Sequence, residues 1–162
     1  MLAAQLASFI PHVVGLDVDA GQVEAAAGRW SKPGLRFETA DVLSERLPDE
    51  PFDFVSCSAA IHHMELDAAL TRLRDLTAPG GRLVVVGLAR NQSAVDWILS
   101  GIAVPVVRIA RGLRGWYDHG APMQDPKEAW ADIRDASRRI LPGSRWRRRL
   151  YWRYSIVWDK PR

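Results

Sequence analysis

Hydrophobic and polar positions alternate between two periods along this 162-residue chain. At the start, Leu2, Leu6 and Phe9 (or Ile10) fall at helical spacing, which predicts a helix over residues 1–9. Short apolar runs at residues 12–16 (HVVGL), 35–39 (LRFET), 52–57 (FDFVSC) and 82–88 (RLVVVGL) read as strands. Between them, residues 20–30 place Val23, Ala26 and Ala27 on one helical face, and residues 66–77 do the same for Leu66, Leu70, Leu73 and Leu76. Glu65 or Asp67 can support the start of the second helix, and Pro79-Gly80-Gly81 is expected to stop it and turn the chain into the next strand.

Strands alternating with ten-residue helices predict βαβ units: a mostly parallel α/β sheet with helices on both faces. The strands are apolar along most of their length, as suits a sheet covered on both sides. Residues 91–114 read as helical and apolar with scattered arginines. Residues 115–126 read as a loop, and 126–141 as an amphipathic helix with Pro126 in its first turn and Pro142-Gly143 after its end. The closing stretch, SRWRRRLYWRYSIVWDKP, alternates with period two. It is too long for one ordinary strand, so an antiparallel pair is expected at about 145–149 and 154–160.

Composition narrows the setting. Hydrophobic residues make up 48% of the chain, enough for the core of one domain spanning residues 1–162. It divides into 1–89, a helical insertion at 90–143 and C-terminal strands at 144–162. Cys57 is the single cysteine, so an internal disulfide is excluded and a cytoplasmic location is the default. The first cation is Arg29, which argues against a signal peptide, and no apolar run reaches the ~20 residues of a membrane span. Residues 1–89 carry 7 Lys+Arg against 12 Asp+Glu, a net of −5, while residues 90–162 carry 15 against 7, a net of +8. The basic half suits nucleic acid or anionic lipid, or it is a solvated arginine-rich surface; the second reading is preferred.

Several residues carry candidate chemistry. Asp17 follows the first strand. In doubly wound folds an acid at a strand end accepts hydrogen bonds from the ribose hydroxyls of a nucleotide cofactor, and it is otherwise a plain turn residue. Asp19 is expected to cap the following helix. Asp41 lies just past the next strand, either as a solvated loop acid or as a carboxylate aimed at an amino-purine. Cys57 reads as a small buried strand residue.

The order strand, Asp17, helix, strand, Asp41, FDFVSCS carries a resemblance. VVGLDVDAGQVEAAA, FETADVLSERLP, FDFVSCSAAIHHM and LTAPGGRLVVVGL resemble the successive motifs of class I (Rossmann-like) S-adenosyl-L-methionine-dependent methyltransferases of the small-molecule type. The match covers nearly all of residues 1–89. By resemblance the cofactor is S-adenosyl-L-methionine: Asp17 with the Val18 backbone would hold the ribose, Asp41 the adenine amino group, the Val42 N–H the ring, and Ser58 the methionine end. His62 and His63 would face the acceptor, one of them as a base if the acceptor must lose a proton, or else as a helix cap or core residue. Trp97, Trp116, Tyr117, His119 and Met123 would line the acceptor site or simply pack. The implied partner is a small, fairly apolar acceptor methylated at O, N or C.

The family's first, central strand and its GxGxG loop are absent from these 162 residues. The uncapped helix at residue 1 is the one that loop would open. Two outcomes are expected for HVVGL and FDFVSC, which would flank that strand: they close on each other, or each keeps an unpaired edge. Cofactor binding is expected to be impaired. The preferred explanation is a start placed too far downstream; the alternative is a truncated, non-catalytic module. A nucleic-acid methyltransferase using the Arg145–Arg153 patch is disfavoured, because no Asn/Asp-Pro-Pro-aromatic signature follows FDFVSC. A nicotinamide oxidoreductase is lower still.

Overall fold

The structure of the protein, a computed structural model, describes residues 2–44, 51–91, 126–149 and 152–162. The chain forms two compact units, Met1–Asp49 and Glu50–Arg162.

In the first unit, helix α1 (Leu2–Leu6) leads to strand β1 (Val13–Asp17), helix α2 (Ala20–Arg29) and strand β2 (Leu35–Thr39). β1 and β2 are parallel, paired from Val13 against Leu35 to Asp17 against Thr39. Antiparallel neighbours can be joined by a tight turn, but parallel ones need a crossover, and α2 supplies it. Asp19 caps α2 as expected: its Oδ1 accepts the N–H groups of Gly21 (2.8 Å) and Gln22 (3.3 Å). Lys32 Nζ donates to the Ala4 carbonyl at 2.8 Å and to Ser8 Oγ at 2.6 Å, placing a cation beside an open carbonyl of α1. Two details differ from the helical pattern. α1 ends at Leu6, so Phe9 is 87% exposed, and on α2 Ala26 alone is buried while Ala27 is exposed.

The second unit begins with β3 (Phe52–Ser58). A 3₁₀ turn (Ile61–His63), helix α3 (Leu66–Leu76) and β4 (Thr77–Leu88) follow. It closes with α4 (Trp130–Ile140), β5 (Arg145–Arg148) and β6 (Arg153–Asp159). The sheet order is β3-β4-β6-β5, with β3 parallel to β4 and the other pairs antiparallel. The antiparallel C-terminal pair is therefore present, and it joins the sheet through β6 on β4. Leu66, Leu70, Leu73 and Leu76 of α3 are all buried, as their spacing requires. Leu83 and Val85 of β4, Tyr154, Ile156 and Trp158 of β6, and Ile133 and Ile140 of α4 are buried as well. Fully burying each such side chain contributes about 1.5–3 kcal/mol relative to exposure.

Among the described residues β1 pairs with β2 in the first unit and β3 with β4 in the second. Two boundaries move. Pro79-Gly80-Gly81 does not precede β4 but lies within it: the ladder jumps from Phe52 against Thr77 to Phe54 against Arg82, so the extra residues form an irregularity in a strand that starts at Thr77. α4 starts at Trp130 rather than near Pro126, because the Asp132 carboxylate accepts the Ala129 N–H (3.1 Å) and sets the first turn there. The helix expected at 91–114 and the loop at 115–126 fall outside the described residues, apart from residues 91 and 126 at their ends. Among the described residues no helix is long and apolar enough to cross a membrane.

Candidate functional site

In the first unit the candidate carboxylates gather at one end of the sheet. Asp17 is the last residue of β1, and its partner Thr39 is the last residue of β2. The Ala40 N–H donates to the Asp17 carbonyl at 2.9 Å, so the chain leaving β2 stays beside the end of β1 for one further step. Asp41 follows directly. Each carboxylate spends one oxygen on its own loop: Asp17 Oδ1 accepts the Asp19 N–H at 3.0 Å, and Asp41 Oδ1 accepts the Leu43 N–H at 2.9 Å. These Asx-type contacts fix both side chains. Among the described residues the second oxygen of each has no partner. Both acids are exposed, as is Val18 at 69%, while Val42 is half-buried.

In the second unit Ser58 ends β3, exposed. Ala59 then takes a left-handed backbone conformation, φ 54°, and donates its N–H to the Val86 carbonyl at 2.8 Å. This turn at the carboxyl end of β3 delivers His62 and His63. Their ring centroids are 4.1 Å apart. His63 is exposed; His62 is 7% exposed, and its Nδ1 has no partner among the described residues. Burial lowers the pKa of His62 from its ordinary value, and the neighbouring His63 charge lowers it further. His62 therefore keeps its neutral form to lower pH than a free histidine. Neither histidine caps α3: Glu65 does, with Oε1 accepting the Asp67 N–H (3.0 Å) and Oε2 the Ala68 N–H (2.6 Å). Burial raises the Cys57 thiol pKa, more than the facing backbone groups of Ala60 and Ile61 lower it. That fits a structural residue rather than a thiolate nucleophile.

The structure thus brings Asp17 and Asp41 together within one unit, and Ser58, His62 and His63 together within the other. Trp97, Trp116, Tyr117, His119 and Met123 lie outside the described residues. Tyr154 of β6 is a buried core residue; its pKa is raised by burial first, then by the nearby charges of Cys57 and Glu128, so it stays a neutral phenol. Among the described residues no three His, Cys, Asp or Glu side chains are grouped to hold a metal.

Parallel strand pairs with crossover helices define an α/β fold of the kind that takes its ligands at the carboxyl ends of the strands. The family described as "Methyltransferase domain" matches residues 1–85. An uncharacterized methyltransferase of Mycobacterium tuberculosis (strain ATCC 25618 / H37Rv) is 36% identical over 169 residues, covering 99% of this chain and 82% of that protein. A ubiquinone biosynthesis O-methyltransferase of Rhodopseudomonas palustris (strain TIE-1) is 30% identical over 107 residues, 65% of this chain and 42% of that one. Among solved structures, the magnesium protoporphyrin IX methyltransferase of Synechocystis PCC 6803 with bound SAH shares the fold. Its TM-score is 0.60 at 20% identity, over 98% of this chain and 70% of that chain. The chain belongs to the methyltransferase domain family, as a class I S-adenosyl-L-methionine-dependent methyltransferase.

Proposed function

We propose that this protein transfers a methyl group to a small, fairly apolar acceptor, with Asp17, Val18, Asp41, Val42 and Ser58 as the cofactor-holding residues. The observation that carries the reading is the pair of exposed carboxylates at the ends of β1 and β2, each with one oxygen tied to its loop and, among the described residues, one left over. An oxygen left over on Asp17 suits ribose hydroxyl donors, and one on Asp41 suits an amino-purine N–H. When bound, S-adenosyl-L-methionine supplies an electrophilic sulfonium methyl group, so the protein's part is chiefly alignment. The small-molecule acceptor is supported by the name of the ubiquinone biosynthesis relative.

For an acceptor that must lose a proton, such as a phenol, the base is one of His62 and His63. His62 has the neutral form secured by its lowered pKa, and His63 has the exposure. Trp97, Trp116, Tyr117 and His119 are the proposed acceptor-side residues. No GxGxG occurs in the 162 residues, so weak cofactor affinity is part of the proposal.

The test is release of S-adenosyl-L-homocysteine with a panel of small phenols, amines and carboxylic acids, for the wild type, His62→Gln and His63→Gln. Turnover is expected with at least one apolar acceptor. With a phenol, one of the two variants is expected to lose about 10²-fold or more in kcat, together with the acid limb of the pH profile. Full activity of both variants on a phenol overturns the base role, and no turnover with any acceptor overturns the small-molecule reading.

A further inference from the structure

A basic groove lies at the edge of the second unit's sheet, where α4 meets the start of β5. It encloses about 330 Å³ and is lined by Arg134, Arg138, Ser144, Arg145, Trp146 and Arg147. Arg134 and Arg138 are four residues apart on α4 and share one helix face. Arg145 and Arg147 are two apart on β5 and share one strand face, about 6.7 Å apart along the strand.

Four guanidinium groups around one hollow repel one another unless acids are placed between them. Two acids are near. Asp135 reaches Arg134 Nε at 3.5 Å, and Asp159 reaches Arg145 Nη2 at 3.4 Å, although Asp159 is shared with Arg82 at 2.6 Å. Among the described residues neither Arg138 nor Arg147 has a carboxylate within ion-pair distance. The groove therefore carries a surplus of positive charge with guanidinium donors unspent.

Trp146 stands between the two groove arginines of β5 on the opposite strand face, with its indole N–H shut off from solvent. The ring is held in place rather than loose. Trp130 meets it edge to face, with centroids 6.2 Å apart and planes at 87°. Trp130 is itself fixed by its Nε1 donating to Asn91 Oδ1 at 3.2 Å and by the Arg148 guanidinium 4.0 Å over its ring. Among the described residues β5 is also the edge strand. The Arg149 N–H donates to the Arg153 carbonyl, so by the alternation of an antiparallel ladder the Trp146 backbone N–H turns away from β6, toward the open edge.

We infer that this groove binds a small molecule bearing a phosphate group of two or more negative charges, such as a diphosphate. Guanidinium forks match phosphate oxygens two at a time, and the outward Trp146 backbone N–H adds a donor without adding charge. A hollow of this size admits a diphosphate with part of an attached group. β3 lies at the opposite edge of the sheet, three strand spacings or about 14 Å away, so the groove is separate from Ser58. This inference does not rest on the methyl-transfer reading.

The test is calorimetric titration of the full chain with inorganic pyrophosphate. Saturable one-to-one binding in the sub-millimolar range is expected, weakening several-fold between about 50 and 200 mM salt. The double variant R138Q/R147Q, which breaks no ion pair of the described fold, is expected to lose about tenfold or more, equivalent to about 1.4 kcal/mol. Thermal unfolding of this variant is expected to stay close to that of the wild type. Absence of saturable binding overturns the inference, as does equal binding by R138Q/R147Q. A random-sequence RNA oligonucleotide that binds far more tightly than pyrophosphate, and is lost in the same variant, also overturns it, because the groove would then be part of a nucleic-acid surface.

Discussion

Tyr154 lies so close over Gly87 that a β-carbon built on that glycine would overlap the phenol ring and its hydroxyl. Gly87→Ala is therefore expected to destabilise the second unit by about 1–3 kcal/mol, read as a shift in the denaturant midpoint with an unchanged slope. His62 makes a prediction of opposite character, about pH. In the unfolded chain it titrates near its ordinary value of 6.5, while in the fold its pKa is lower. Below 6.5 the unfolded chain takes up a proton that the folded one resists, so stability falls as pH drops from 6.5 toward the folded pKa and levels off below that. Denaturant unfolding between pH 7 and about 5 should show this slope in the wild type and a flatter one in His62→Gln; equal slopes contradict it. Asp17 and Asp41 could be read from the sequence because their placement is local, each following directly on a strand. The burial of His62 and the Tyr154–Gly87 contact could not, since both depend on which segments pack together.

At the scale of elements, α3 shows how closely pattern and structure agree when the signal is strong. Its four leucines at helical spacing are all buried. Its start is set by Glu65, whose two carboxylate oxygens take the first free N–H groups. At its far end Lys160 Nζ donates to the Arg74 carbonyl at 3.0 Å and the Thr77 carbonyl at 2.7 Å, a long-range partner invisible to any local reading. Glu65→Ala should cost about 1 kcal/mol of stability, measurable by chemical unfolding; a loss under a few tenths would show that the cap is dispensable. The types of the helices and longer strands were legible in the sequence, but the 3₁₀ turn at Ile61–His63 and some boundaries were not. Pro79-Gly80-Gly81 normally punctuates a chain, yet here the irregular ladder between β3 and β4 absorbs it within a strand. The hairpin between β5 and β6 has no glycine, and Trp152 takes the left-handed conformation instead, φ 56°. Phe9 looked like the last residue of an apolar helical face, but α1 stops a turn earlier.

At the scale of the whole molecule, the chain is two compact units of opposite character. The first is small, with Ala4 and Ala26 its only buried apolar residues among those described, and it carries the paired carboxylates. The second holds the large core, the histidine pair and the arginine groove. The family was readable from the order and spacing of four motifs, each weak by itself. The groove was not, because half of its arginines come from α4 and half from β5, and a linear reading saw only the run from Arg145 to Arg153. Central to the methyl-transfer reading is Asp17, at the end of β1, as the residue that holds the cofactor. The direct measurement is calorimetric titration of S-adenosyl-L-homocysteine into the wild type and Asp17→Ala. The methyl-transfer reading predicts one-to-one binding to the wild type, weaker than about 10 µM. In Asp17→Ala it predicts a further loss of about 10–100-fold, the worth of a charged hydrogen bond of about 1.5–3 kcal/mol. Equal affinity in the two proteins would contradict it.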